Sequence, residues 1–188
     1  MIVREALIVI DYTNDFVAPE GRLTCGEPGQ NIEGRLVSIL QQFHRQEQEI
    51  FFAVDVHEEN DPCHPETALF PPHNIRGTSG RDQYGKVQTF LDELGAEWPA
   101  HIHWHDKTRY SAFAGTPLEL QLRERGITHL HLVGVCTDIC ILHTAVDAYN
   151  RGFALTVHED AVQSFNPDGH TWALAHFKNC LGATVVSD

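Results

Sequence analysis

Two cysteines, Cys136 and Cys140, stand four residues apart in VGVCTDICILHT, residues 133–144, between apolar runs. A thiol pair at that spacing can be a disulfide, half a metal site, two packed core residues, or a nucleophile with a neighbour, and spacing alone leaves all four open. A second group of reactive residue types lies in VDVHEENDPCHPETALFPPHN, residues 54–74. There Asp55 and His57 share a face if the chain is extended, and Glu66 and His73 come back after a loop. Two imidazoles with one or two carboxylates suit a divalent first-row metal such as Zn, Fe or Mn, with positions left for water or ligand. Cys63 and His64 are substitutes within that set, and the alternative is a surface loop whose histidines face solvent. Asp11, in IVIDYTNDF, and Lys107, in DKTRYSAF, could take a proton from a thiol and stabilise its thiolate.

Elements must bring these groups together. Short apolar, β-branched runs at 6–10, 50–54, 101–105, 129–133, 153–157 and 183–186 read as strands. Between them, 31–48, 117–125, 138–151 and 168–179 carry the helical spacing of apolar residues, and Gly126, Gly152 and Gly182 stand where helix C-termini need a left-handed residue. Alternating strands and helices predict βαβ units and a parallel sheet of the Rossmann-like kind, covered by helices on both faces. The ligand site of such a sheet lies beyond the carboxyl ends of its strands. Asp11, Asp55 with His57, Asp106 with Lys107, and Cys136 to Cys140 follow the first four strands, so complementary groups converge there. Thr137 or Asp138 is expected to cap the helix after the fourth strand. That would put Cys140 in its first turn, where the positive helix end and Lys107 favour a thiolate. The stretch from Asp55 to Tyr84 shows neither period and holds Pro62, Pro65, Pro71 and Pro72. A loop that long in a compact domain is usually functional.

The 188 residues read as one domain, 1–188, large enough to bury a substantial core. Lys and Arg total 13 against 26 Asp and Glu, a formal charge of −13 that disfavours nucleic acid and anionic membranes as partners. The start, MIVREALIVIDYTNDF, has only five apolar residues in a row, too few for a signal-peptide core or a membrane span. Five cysteines, an odd count, argue against a disulfide framework, and the expected location is cytoplasmic. Homo-oligomerisation is left open.

The motifs resemble those of the isochorismatase-like cysteine hydrolases and, within them, the nicotinamidases. IVIDYTNDF is similar to that family's opening acid motif, DKTRYSAF to its lysine motif and GVCTDICILHTAVDA to its nucleophile motif. VDVH with PPHN resembles the metal motif that nicotinamidases have and the isochorismatase branch generally lacks. The resemblance implies a six-stranded parallel sheet and hydrolysis of nicotinamide, or a similar pyridine carboxamide, to its acid and ammonia, a step of pyridine nucleotide salvage toward NAD. It assigns catalysis to Asp11, Lys107 and Cys140, and the oxyanion hole to the backbone N–H groups of Cys136 and Cys140 after a cis peptide between Val135 and Cys136. It places one divalent metal ion, Zn before Fe or Mn, on Asp55, His57, Glu66 and His73, and the pyridine ring against Phe16, Phe70 and Tyr110. Cysteine at 136, where a small or aliphatic residue is usual, and phenylalanine at 70, where many members have tryptophan, depart from the pattern. The competing readings are a related amidase for another small amide or carbamoyl compound, and a catalytically silent metal-binding or scaffold protein.

Overall fold

The computed structural model describes residues 4–187. They form a six-stranded sheet in the order β3-β2-β1-β4-β5-β6, with every adjacent pair parallel. The strands are β1 (Glu5–Ile10), β2 (Glu49–Asp55), β3 (Ile102–Lys107), β4 (His129–Val135), β5 (Ala154–Gln163) and β6 (Thr184–Val186). The helices are α1 (Asn14–Val17), α2 (Glu27–Asn31), α3 (Glu33–Arg45), α4 (Gly85–Glu93), α5 (Leu118–Glu124), α6 (Leu142–Asn150) and α7 (Pro167–Cys180).

Both sheet faces are buried, which is why the central strands are apolar without alternation. Leu7 and Val9 of β1 pack with α3 and α4 through Leu36, Ile39, Leu40, Phe43, Val87 and Phe90. Ala6, Ile8 and Ile10 face the other way, toward Leu118 and Leu122 of α5, Ala145 and Ala148 of α6, and Ala173 and Phe177 of α7. Leu40 has no exposed surface. Truncating such a leucine to alanine costs about 2–5 kcal/mol, so either helix layer is needed to keep the sheet dry.

All six expected strands form, with shifted ends. β3 runs on to Lys107, so the lysine is the last residue of the strand rather than a residue beyond it, and β5 extends to Gln163. The helix expected over 31–48 is α2 and α3 in succession. The segment 138–151 divides into a π-helical turn, Thr137–Ile141, followed by α6. Helix α4 was not expected, although its buried Val87, Phe90 and Leu91 have helical spacing. Gly126, Gly152 and Gly182 have φ of 66°, 77° and 62° just after α5, α6 and α7, as the left-handed helix exit requires.

The strand order decides where chemistry can occur. From β1 the chain winds outward to β2 and β3, then returns to β4 and winds outward the other way. The crossovers therefore diverge between the carboxyl ends of β1 and β4, the place where an open α/β sheet leaves a crevice.

Candidate active site and metal centre

Asp11 follows β1 at that crevice, in the left-handed region with φ 54°. A non-glycine residue held there is strained, and such residues cluster at functional sites. Its Oδ1 accepts the Asp55 N–H at 2.8 Å, and its Oδ2 lies 2.7 Å from Lys107 Nζ. Lys107 starts two strands away, with its Cα paired in register to Asp55, and its long side chain passes β2 to reach Asp11. The ammonium also lies 3.5 Å from Asp55 Oδ1 and donates to the Arg109 carbonyl (3.2 Å) and to Cys140 Sγ (3.7 Å). Three sequence-distant groups thus form one buried array. Asp106, its neighbour in β3, points the opposite way and pairs with Arg76 and Arg81 at the surface.

Electrostatics in the array follow from burial. Burial raises Asp11 more than Lys107 lowers it, leaving its carboxyl at about 6, in the range suited to exchanging a proton near neutrality. Burial alone would discharge Lys107, but Asp11 and Asp55 hold its pKa well above the ordinary lysine value. Cys140 corrects the sequence expectation. Burial pushes its thiol well above the usual range, Asp11 and Asp55 add to the rise, and Lys107 offsets only part of it. The lysine charge is already shared by two carboxylates, so the resting sulfur is a thiol beside a base rather than a free thiolate.

The turn that presents Cys140 is also not the capped helix expected. Gly134 has φ 116°, and a Cβ there would overlap the Ile10 carbonyl oxygen, so only glycine lets β4 pass β1 at this point. The Val135–Cys136 peptide is cis. Ile139 and Ile141 both donate to the Cys136 carbonyl at 3.1 Å, closing a wide turn that carries the Cys140 N–H. Neither Thr137 nor Asp138 caps it. Instead Thr137 Oγ1 bonds His170 Nδ1 at 2.8 Å, and Asp138 accepts from Ser164 Oγ at 2.6 Å and Asn166 Nδ2 at 3.3 Å. These bonds tie the turn to α7 and the residues before it. The sequence carried no spacing signal for them.

Beside the array, ligand atoms of Asp55, His57, Glu66 and His73 lie within 4.8 Å of one another, all on buried residues. His57 Nε2 is 2.8 Å from Asp55 Oδ2, and His73 Nε2 is 3.6 Å from both Asp55 Oδ2 and Glu66 Oε2. His73 Nδ1 donates to the Pro71 carbonyl at 2.8 Å, which turns Nε2 inward toward Asp55 and Glu66. Burial would lower the His73 pKa, but Asp55, Glu66 and Pro71 outweigh it and raise it to about 10. Asp55 is held well below the carboxylate range, its burial outweighed by Lys107 and the two histidines. A cluster that holds a proton this firmly is built for a cation, and its two nitrogen and two oxygen donors fit a divalent transition metal.

Supporting bonds fix the ligands from outside. His57 N–H donates to Asn74 O and Arg76 N–H to His57 O, so the two histidine-bearing segments are laced together. Asn74, with φ 44°, gives its N–H to Asp15 Oδ2 at 2.7 Å and accepts Thr13 Oγ1 at 3.0 Å through its side chain. His64 is buried but lies outside this four-donor group. It accepts the Glu66 N–H through Nδ1 (3.2 Å) and bonds the Thr108 carbonyl through Nε2 (2.9 Å). Cys63 is exposed and outside the cluster. Thr13 and Asp15 were missed in the sequence, although both lie in the IVIDYTNDF motif.

A small pocket lined by Phe16, Leu23, Glu66, Phe70, Tyr110, Ile139 and Phe165 opens onto Cys136 and Cys140. Glu66 and Phe70 also line the neighbouring depression that holds His57 and His73, so Cys140 and the four-donor cluster share a wall. Phe16, Phe70 and Tyr110 are therefore together as expected. A larger open depression of about 710 Å³ lies around Arg81, Trp98 and Trp104, but Asp11, Lys107, Cys140 and the four-donor cluster do not line it.

Comparison with known proteins agrees with this geometry. The isochorismatase domain model matches residues 5–188. The chain is 58% identical over 184 residues, 98% of it and 100% of the relative, to the uncharacterized isochorismatase family protein PncA of Bacillus subtilis (strain 168). The crystal structure of nicotinamidase/pyrazinamidase PncA from Bacillus subtilis superimposes with a TM-score of 0.95 at 56% identity, covering 98% of this chain and 100% of that one. The pyrazinamidase of Pyrococcus horikoshii in complex with zinc gives a TM-score of 0.83 at 28% identity, covering 98% and 99%. With one matching domain model over nearly its whole length, and relatives this similar end to end, the chain belongs to the isochorismatase family.

Proposed function

We propose that this chain is a metal-dependent cysteine amidohydrolase that deamidates nicotinamide to nicotinic acid and ammonia. The observation that carries the reading is the contiguity of the Asp11–Lys107–Cys140 array with the four-donor cluster through Glu66 and Phe70. An aromatic pocket between a nucleophile and a metal site suits a flat ring bearing both a ligating nitrogen and a carboxamide. The similar proteins named nicotinamidase and pyrazinamidase act on such amides.

Asp55, His57, Glu66 and His73 would hold the ion, which when bound supplies a Lewis-acid position for the ring nitrogen. Phe16, Phe70 and Tyr110 hold the ring. Asp11 takes the Cys140 proton as sulfur attacks the amide carbon, while Lys107 stabilises the charge developing on sulfur. The backbone N–H groups of Cys136 and Cys140 receive the oxyanion, donors worth about 2.7–4 kcal/mol each in comparable acyl transfers. Asp11 returns the proton to the departing ammonia, leaving a thioester on Cys140. Water, deprotonated by Asp11, then cleaves the thioester and restores the thiol.

The product, a pyridine carboxylic acid, fits pyridine nucleotide salvage in the cytoplasm, where five free thiols are at home. No helix among the described residues is long and apolar enough to cross a membrane. Ammonia release by the metal-loaded protein over nicotinamide, pyrazinamide and a carbamoyl compound tests the assignment. Highest kcat/KM on nicotinamide is expected; preference for the carbamoyl compound, or no turnover on any amide, would overturn it.

A further inference from the structure

Cys136 contributes only its backbone to the proposed reaction. Its thiol faces that of Cys25, with the two sulfurs 3.2 Å apart and both residues buried. Cys25 lies between α1 and α2, and its N–H donates to the Phe16 carbonyl at 2.8 Å. One thiol thus belongs to the segment that carries Phe16, and the other to the strand end that presents the nucleophile. Cys136 also borders the pocket that contains Cys140, so a small solute entering the pocket meets it.

We infer that Cys25 and Cys136 are an oxidative modification site: a dithiol that a peroxide converts to a disulfide joining the Phe16 segment to the nucleophile turn. One thiol, as its thiolate, attacks a peroxide oxygen, breaking the O–O bond to give a sulfenic acid and one water. The second thiolate displaces the sulfenic oxygen, which leaves as a second water, and the S–S bond forms. Both thiols are oxidised, the peroxide is reduced, and the two thiol protons end in water. The sulfurs already face each other, but they must close from 3.2 Å to about 2.05 Å, which draws Cys136 toward Cys25. That movement displaces a backbone N–H proposed to receive the oxyanion, so the bond lowers turnover. The hydrogen bond with Cys25 and burial hold the Cys136 thiol well above its usual pKa, so oxidation is slow near neutrality and faster in mild alkali.

The cross-link is tested apart from activity. The full chain carrying Cys140→Ser, which silences the nucleophile, is treated with hydrogen peroxide, quenched with a thiol-blocking reagent and mapped by mass spectrometry. A linked Cys25–Cys136 peptide lighter by two hydrogens is expected, absent when Cys25→Ser is added and lost on reduction with dithiothreitol. In the chain with Cys140 intact, part of the peroxide-induced loss of ammonia release should return with dithiothreitol, and Cys25→Ser should abolish that recoverable part without changing the basal rate. Overoxidised, unlinked thiols in the Cys140→Ser chain, or the same recoverable loss in Cys25→Ser, overturn the inference. The mapping does not depend on the substrate, so failure of the nicotinamide assignment would leave its result intact.

Discussion

Lys107 Nζ sits 2.7 Å from Asp11 Oδ2 with neither side chain exposed, although their strands are separated by β2. An ammonium placed between Asp11 and Asp55 has two partners for one charge, so the cluster keeps a net negative charge that disfavours a third anion on sulfur. In the proposed mechanism Asp11 is therefore the base and Lys107 the group that compensates charge as the thiolate forms. Asp11→Asn should lower kcat by about 10²–10⁴-fold, the range for loss of a general base. Lys107→Ala should lose comparable turnover and also about 3–5 kcal/mol of stability, because it strands buried carboxylates. Steady-state kinetics with denaturant unfolding checks both, and near-native turnover in either variant refutes the roles assigned.

Cys140→Ala should be inactive, whereas Cys136→Ala should keep much of its rate because it retains the N–H. In the metal-free protein, iodoacetamide should label Cys140 with a pH midpoint above that of a free thiol, about 8.5, since burial favours the neutral form. Adding Zn should move the midpoint down, because a cation beside Asp55 frees part of the Lys107 field. Alkylation followed by mass spectrometry across pH reads this, and a metal-free midpoint below the free-thiol value would contradict the electrostatics.

The protein should bind one divalent transition metal per chain. His57→Ala and His73→Ala should each lower metal content and weaken substrate binding with the circular dichroism spectrum preserved. Full occupancy in both variants by elemental analysis rules out the assigned ligands.

Asp15 should matter without touching the metal. Asp15→Ala removes the acceptor for the Asn74 N–H, next to His73, at a cost of about 1–3 kcal/mol. Metal affinity should fall about 10–100-fold, as for other groups that orient ligands. Competition with a chelating dye measures it, and unchanged affinity would show that the loop holds His73 unaided.

Acid should destabilise the fold through His131. Burial, with His158 and His129 beside it, lowers His131 to about 4; Glu5 Oε2 lies 3.6 Å from its Nε2. The unfolded state, with an ordinary histidine pKa near 6.5, binds the extra proton between pH 6.5 and 4, so stability falls as pH falls through that window. Urea denaturation at pH 7 and pH 5 should show the loss, and His131→Gln should reduce it. An equal pH slope in that variant would assign the loss to other groups.

The pattern of apolar runs and the residue types at their ends determined most of what matters here. ALIVI and IFFAV are apolar without alternation because both faces of their strands are covered, so a parallel sheet was legible from them alone. Asp11, Asp55, Lys107 and Cys140 were legible because strand ends in such a sheet face one crevice. Helix α4 was hidden by its shortness and by the irregular loop before it. The π turn, the Thr137–His170 bond and the Asp15–Asn74 bond join segments whose spacing in sequence says nothing about their contact. The charge state of Cys140 was misread from sequence for the same reason. A lysine beside a thiol predicts a thiolate until the fold shows two carboxylates already sharing that buried lysine. Residue types and order settled which groups could react. Only the tertiary structure decided how far each is buried and which charges it faces, and in a low-dielectric interior those two quantities set where the proton rests.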